Sequence, residues 1–530
     1  MAVTLFTSLP KNLPHGVRCC QISPFTTLDN DTPTLLNIGQ DLEDAFNTIS
    51  SSWRDTALFL QSQPTADLAH MPTMSTYASD FGVMLAWLVV VENLAVSDDT
   101  IWIGCDDPWL YRALALLPGV TPVKAPRLLV QWAQLLLRGY LARTLAAMRV
   151  ALAKWKTRHH RKTIPLSTNC ILVYGHPESR PDGNDAYFSN LLNDVPTLLR
   201  IMHTDCAASL ALALAKDKRT FSLHAWGHVL SLLKMPFAKW RPDTQHLDSK
   251  IAWLVKRAAA YEGSGGSAAM TKWQMSCQAS WLHEARPKSV SWPWENHPWE
   301  RHFARQAREQ GIQTFGYQHT VVGQHMFNQG ADANIDGIRS LPDKILLNGP
   351  CYRDDLASRG IPQDMMEEIG SHRIGGNKLP NYGKNGVVFL ALSNNPLFAK
   401  QMIDAARPLA CSDMPFLVKD HPLSPYLFKD SHHFTHTQLP LDQLPPLRAL
   451  IYCTGTTGLE GLLAQIPTIR FIPNGGIALD ILPQSMQVTS VSAPNLAAIM
   501  KNLPIPETMN IEKLFPPPNL EKWRALFAAT

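Results

Sequence analysis

Short apolar runs separated by polar turns recur along most of this chain, and helix-like stretches fill the intervals between them. The apolar runs predict strands at 100–105, 170–174, 197–202, 289–292 and 314–317. A second series follows at 344–347, 386–392, 415–418, 449–453, 468–472 and 487–491. Helical spacing marks 81–94 and 299–310 among others, with Pro108 and Pro298 standing where a first helical turn accepts proline. Strands that alternate with helices predict parallel sheets, so the fold class is α/β. Two such series predict two doubly wound, Rossmann-like domains that hold ligand between the carboxyl ends of their strands. Apolar periodicity lapses at Gln329-Gly330-Ala331-Asp332-Ala333-Asn334. Domains are therefore expected at 1–335 and 336–505, with a closing helix in 506–530. The first 80 residues show helical spacing only at 35–60 and are otherwise silent.

Composition agrees with a folded protein: 45% of the 530 residues are hydrophobic and 17% charged, and that length calls for more than one core. A net charge of +4 is too mild to imply nucleic acid, and no nucleic-acid motif is present. The charge is unevenly spread, however. No Asp or Glu occurs between Pro108 and Pro177, while 124–162 carries ten cations, including Arg138, Arg143, Arg149 and Lys154. Arg127, Arg138 and Arg149 are eleven residues apart, which returns each to nearly the same helix face. Leu128, Leu129, Leu135, Leu136, Leu145, Met148 and Leu152 supply a broad apolar surface, with Trp132, Tyr140 and Trp155 beside it. The segment reads as a helical insert lying on an anionic membrane, against the plainer alternative of a core helix with a solvated basic face. Nine scattered cysteines without CxxC spacing read as reduced thiols, and with no metal pattern no metal is expected. A start without a signal-like run and the lack of an 18-residue apolar stretch predict a cytoplasmic chain with no spanning helix.

The chemistry concentrates in two places. In 451–463 an apolar strand runs through Cys453-Thr454-Gly455-Thr456-Thr457-Gly458 directly into a helix. Glycines let backbone approach a phosphate, a helix N-terminus offers unpaired N–H groups, and threonine hydroxyls add donors. Glu460, in the first helical turn, can accept from a ribose hydroxyl or simply compensate the helix dipole. About thirty residues earlier a strand ends in Lys419-Asp420-His421-Pro422, which places His421 to donate to a donor phosphate or protonate its leaving oxygen. In the N-terminal half, Glu295 follows a strand and is the candidate general base. His319 and Gln318 follow the next strand as candidate donor or acceptor contacts. Asp185, with Asp182, is the second choice of base, its alternative being turn formation and N-capping.

Together, WENHPWER, GYQHT, VKDHP and CTGTTGLEGLL resemble the bacterial surface carbohydrate biosynthesis proteins related to the capsular Kdo transferases and, more distantly, the bacterial sialyl- and polysialyltransferases. The resemblance covers roughly 168–475, and the first 165 residues carry none of it. It implies a GT-B glycosyltransferase that moves Kdo or another nonulosonate from a CMP-activated donor, which is a co-substrate, with no cofactor or metal. The acceptor it implies is a lipid-linked or protein-bound glycan at the cytoplasmic face of the bacterial inner membrane. His421 with Pro422 matches that family's HP motif, and Thr456 with Thr457 its hydroxyl-rich turn. Thr-Gly-Thr-Thr-Gly stands where relatives often carry adjacent serines. The teichoic-acid glycerophosphotransferases share a Lys-x-His-Pro and a similar turn, making a CDP-glycerol donor the alternative. A catalytically silent scaffold of polysaccharide assembly is the third reading.

Overall fold

The computed structural model describes residues 3–528 other than 11, 23–35, 98, 374–378, 423, 484 and 507–509. The described residues form three wholly parallel sheets rather than the two expected. The first holds β1 (Val3–Phe6), β2 (Arg18–Ile22), β3 (Ile101–Cys105) and β4 (Val120–Pro122) in the order β2-β3-β1-β4. The second holds β5 (Asn169–Val173), β6 (Leu199–Met202), β7 (Thr220–Ser222), β8 (Ser289–Pro293), β9 (Gln313–Tyr317), β10 (Lys344–Leu347) and β11 (Met366–Glu368). Their order is β11-β10-β9-β8-β5-β6-β7. The third holds β12 (Tyr382–Ala391), β13 (Phe416–Lys419), β14 (Phe434–His436), β15 (Leu447–Tyr452), β16 (Thr468–Ile472) and β17 (Thr489–Ser492), ordered β14-β13-β12-β15-β16-β17.

Strand order reverses between β5 and β8 in the second sheet and between β12 and β15 in the third. Those reversals open crevices at the carboxyl ends of the strands, where doubly wound sheets take ligand. The larger two sheets are thus the pair of Rossmann-like units of a GT-B-like fold. Strands such as β8 and β16 are buried at every position, as parallel strands covered on both faces must be. One continuous apolar core runs from Leu172 and Trp292 of the second sheet to Leu450 and Leu459 of the third.

Two expectations are corrected here, while the closing helix expected in 506–530 is present. The boundary near 335 falls inside the second sheet, because β10 pairs with β9 (Leu346 opposite Tyr317) and β11 with β10. The third sheet begins only with β12. The reason is that membership is set by pairing partners distant in sequence, which a local lapse in periodicity does not report. The closing helix, Leu520–Ala528, returns to the second sheet, where fully buried Trp523 meets the rings of Phe188, Tyr317 and His372 at 5.7 to 5.8 Å. Last, the basic segment forms one 30-residue helix, Leu128–Thr157, that connects the first sheet to the second instead of interrupting a unit. The first unit in turn reaches the third sheet: Arg470 of β16 forks onto buried Glu43 of the helix Gly39–Thr48.

Candidate functional site

The carboxyl ends of β12, β13 and β15 surround a cavity of about 590 Å³. Lys419, the last residue of β13, lines it and donates from Nζ to the Leu439 carbonyl at 2.8 Å. Asp420, His421 and Pro422 line it as well, with Asp420 held by His436 Nε2 at 2.9 Å. Partial burial holds the His421 imidazole below its usual pKa, so near neutral pH it carries a single N–H to donate. Facing it, β15 ends in the turn that contributes Thr454, Gly455, Thr456 and Thr457 to the lining. Gly455 sits at φ +118 with open space beside it, a backbone shape that favours glycine. Gly458 is different. A side chain there would strike the Tyr452 ring at 2.3 Å, and the residue lies off the lining, so its glycine serves packing rather than phosphate approach. Glu460 lines the cavity too, its pKa pushed up by burial and pulled down in part by Lys419.

A second cavity, of about 410 Å³, lies between the two larger sheets. The second sheet presents Asp185, Ser189, His319, Thr320 and Arg373 to it, and the third presents Thr456, Leu459 and Glu460. Thr456 and Glu460 line both cavities. They form the common wall of one two-compartment cleft.

Of the two carboxylates expected as base, neither stands free. Asp185 is buried, lies 3.6 Å from Arg200, and accepts from the Tyr187 and Phe188 amides at 2.9 and 3.3 Å. It has the turn-forming role. Asp182 is exposed, closes a turn onto the Asn184 amide at 3.0 Å, and lines neither cavity. Glu295 bridges two histidines, at 2.7 Å from His297 Nε2 and 3.5 Å from His319 Nε2. Burial works to raise its pKa, yet His297, His319 and Arg373 outweigh it and bring the carboxyl to about 2. Such a carboxylate is a weak base. It lies off the cavity lining, whereas His319 is on it. Burial pushes His319 down to about 4, which leaves the imidazole neutral. With Nε2 toward Glu295, its buried Nδ1 has no hydrogen-bond partner among the described residues. A neutral ring that turns one nitrogen toward a carboxylate favours the N–H there and a lone pair on the other.

Other residues of that region hold the frame. Glu300 accepts from the Trp292 indole and from the Glu295, Asn296 and His297 amides at 2.9 to 3.1 Å, fixing the turn that carries Glu295. Gln318 is fully buried and donates to the Thr320 carbonyl at 3.1 Å, so it braces the loop instead of lining the cleft. Sequence reasoning passed over Arg373, the one guanidinium on the second cavity among the described residues, and His297. His297 was visible in WENHPWER; Arg373 carried only the turn signal of the Gly-Gly after it. No group of three or more His, Cys, Asp or Glu among the described residues is arranged to hold a metal ion.

The helix Leu128–Thr157 has three distinct faces. Gly139, Arg143, Ala146, Val150, Ala153 and Thr157 are buried against the body. On the far side Val130, Leu137, Leu141, Met148, Leu152 and Trp155 are each more than half exposed. Between these faces run Arg127, Arg138, Arg149 and Lys156, all exposed. Arg143 is thereby corrected as a surface cation: it is 3% exposed and donates to the Pro236 and Gly263 carbonyls. Lys154 is half-buried. The helix Val229–Lys234 and the turn after it enlarge the apolar side with Val229, Leu230, Leu233 and Phe237, the last 6.0 Å from the Tyr140 ring. Among the described residues no helix is long and apolar enough to cross a membrane.

No protein-family model matches the chain, and no curated protein does. Among solved structures it is similar in fold to a UDP-N-acetylglucosamine 2-epimerase (11% identity, 63% of this chain and 87% of that one, TM-score 0.36). The lipopolysaccharide outer core galactosyltransferase WaaB is matched at 11% identity over 68% of this chain and all of that one, with a TM-score of 0.35. The glycosyltransferase SnogD from Streptomyces nogalater is matched at 11% identity over 64% of this chain and 90% of that one, with a TM-score of 0.36.

Proposed function

We propose that this chain is a glycosyltransferase that takes an acidic sugar, Kdo or another nonulosonate, from a CMP-activated donor and passes it to a glycan acceptor at the cytoplasmic face of the inner membrane. The observation that carries the reading is the shared wall of Thr456 and Glu460. It sets a phosphate-suited cavity, with Lys419, His421 and Thr457, beside a cavity that holds a neutral histidine backed by a carboxylate. In the reaction the acceptor oxygen attacks the anomeric carbon and its proton passes to the His319 imidazole. The bond from that carbon to the phosphate oxygen breaks, and its electron pair leaves on CMP. Lys419, His421 and the Thr456 and Thr457 hydroxyls meet the charge that develops there. Glu295 keeps His319 in the reactive tautomer and favours its charged form after proton transfer. Arg373, on the sugar side, suits the carboxylate that distinguishes an acidic sugar from a neutral one.

The exposed apolar stripe with its flanking cations supports docking on an anionic bilayer, which brings a water-soluble donor to a membrane-held acceptor. The donor class is tested by thermal unfolding of the purified chain with CMP, CDP, UDP and GDP. A nucleotide bound only by the native state raises its stability, by about 2.7 kcal/mol at a hundred times Kd. CMP should raise the midpoint most. A larger shift with UDP or GDP, or with CDP and CDP-glycerol, would replace the CMP assignment.

A further inference from the structure

Beside the N-terminal end of the exposed stripe lies a groove of about 770 Å³, remote in sequence from every residue of the cleft. Leu128, Trp132 and Leu135 form one wall, Trp253 and Ala260 of the helix Ser249–Glu262 another, and Trp240 is buried against them. Lys239, Arg241 and Lys256 are the charged groups on its lining, and no carboxylate joins them. The volume is that of a small-molecule site. Its walls match a hydrocarbon chain, and its cations match one phosphate.

The electrostatics of this corner are one-sided. Arg143 lies buried alongside with only carbonyl partners, and burial, then Arg241 and Arg143, depress the pKa of Lys239. Arg241 likewise adds to the burial that lowers Arg143. A bound anion would offset this mutual repulsion. Lys256 stands over the Trp253 ring at 5.0 Å, so its charge is already held at the groove. Leu129, Trp132 and Leu136 belong both to the groove lining and to the exposed side of the long helix. The groove therefore opens onto the apolar stripe without a polar break in that helix. A second copy of this chain is a poor occupant, because an isologous contact would set these cations against their own images with no carboxylate on the groove lining to answer them.

We infer that this groove is a lipid site that takes one chain of an anionic phospholipid, with the headgroup phosphate between Lys239, Arg241 and Lys256. The site rests on the membrane reading above and refines it: the long helix lies on the bilayer, and the groove draws a single lipid from it. The surroundings connect the groove to the catalytic side. Glu262, at the end of the groove helix, accepts from the His70 and Met71 amides at 2.8 and 3.0 Å, and the His70 ring packs 5.8 Å from His297, the partner of Glu295.

The test is calorimetric titration of the full chain with lysophosphatidylglycerol and lysophosphatidylcholine below their micelle concentrations, run beside flotation with phosphatidylglycerol vesicles. Wild type should bind the anionic lysolipid about tenfold more tightly than the zwitterionic one, as expected when cations contact the headgroup. Lys239→Gln with Arg241→Gln and Lys256→Gln should erase that preference while leaving chain binding. Ala260→Trp should fill the groove and abolish binding of both lysolipids. Thermal unfolding with CMP confirms that each variant is folded. Wild-type vesicle binding without lysolipid binding would overturn the groove site alone, and lysolipid binding by Ala260→Trp equal to wild type would do the same. Failure of wild type to float with vesicles would remove the membrane reading beneath it.

Discussion

The division of labour between Glu295 and His319 decides the chemistry at the residue scale. A carboxyl held near 2 by His297, His319 and Arg373 has little affinity for a proton, whereas neutral His319, on the cavity lining, keeps a lone pair on a ring nitrogen. His319→Gln should therefore lower kcat by about 10² to 10⁴-fold, the ordinary contribution of a general base. Glu295→Gln should cost less and, by removing the charge that raises the His319 pKa, shift the acid limb of the kcat/KM profile downward. Near-normal turnover in His319→Gln with collapse in Glu295→Gln would make Glu295 the base. This pairing was illegible in the sequence because its partners sit on different strands, joined only by the pairing of β8 with β9. His421 was legible, since Lys-x-His-Pro at a strand end is a local pattern.

At the scale of elements, the turn from β15 into the helix Thr457–Leu463 carries glycines with separate duties. Gly458→Ala would push a methyl group into the Tyr452 ring, and overpacking of this kind costs about 1 to 3 kcal/mol. Urea unfolding should show that loss, and an unchanged midpoint would mean the ring moves freely aside. The strand, turn and helix were readable because thirteen consecutive residues contain the whole signal. The long basic helix was readable for the same reason, but which of its faces met the body was not: Arg143 and Arg149 look alike in sequence and lie on opposite sides of the burial boundary. Replacing exposed Arg138 and Arg149 by Glu should weaken flotation with phosphatidylglycerol vesicles by about tenfold or more, at about 1 kcal/mol per cation lost, and added salt should weaken the wild type likewise. Binding indifferent to both changes would assign the face to another partner.

Among the described residues, burial holds six histidines at about 4 or below. They are His70, His160, His224, His319 and His372 near 4 and His325 near 3, against 6.5 for an exposed imidazole. A depressed histidine pKa means the unfolded chain binds more protons, so stability is full above about 6.5 and is lost as pH falls toward 4. Glu262, raised to about 7 by burial, acts in the opposite sense, as do Glu43, Asp185, Glu300, Glu460 and His297, whose pKa values are raised too, and the prediction is that the six rings outweigh them. Melting temperatures followed by circular dichroism should fall steadily from pH 7 to pH 5; a flat or rising trace would mean these rings stay solvated. Two doubly wound units were visible in the alternation of strands and helices. The first sheet was not, since β1, β2 and β4 have three to five residues each and gain their strand character from pairing. The cleft between the larger sheets remains the centre of the account. Its most direct test is calorimetric titration of CMP into wild type, His421→Ala and His319→Gln. A hydrogen bond to a charged phosphate is worth about 1.5 to 3 kcal/mol, so His421→Ala should weaken CMP by about 10 to 100-fold while His319→Gln binds it as wild type does. CMP binding that is absent from wild type, or untouched by His421→Ala, would contradict a donor-phosphate site at the ends of β13 and β15.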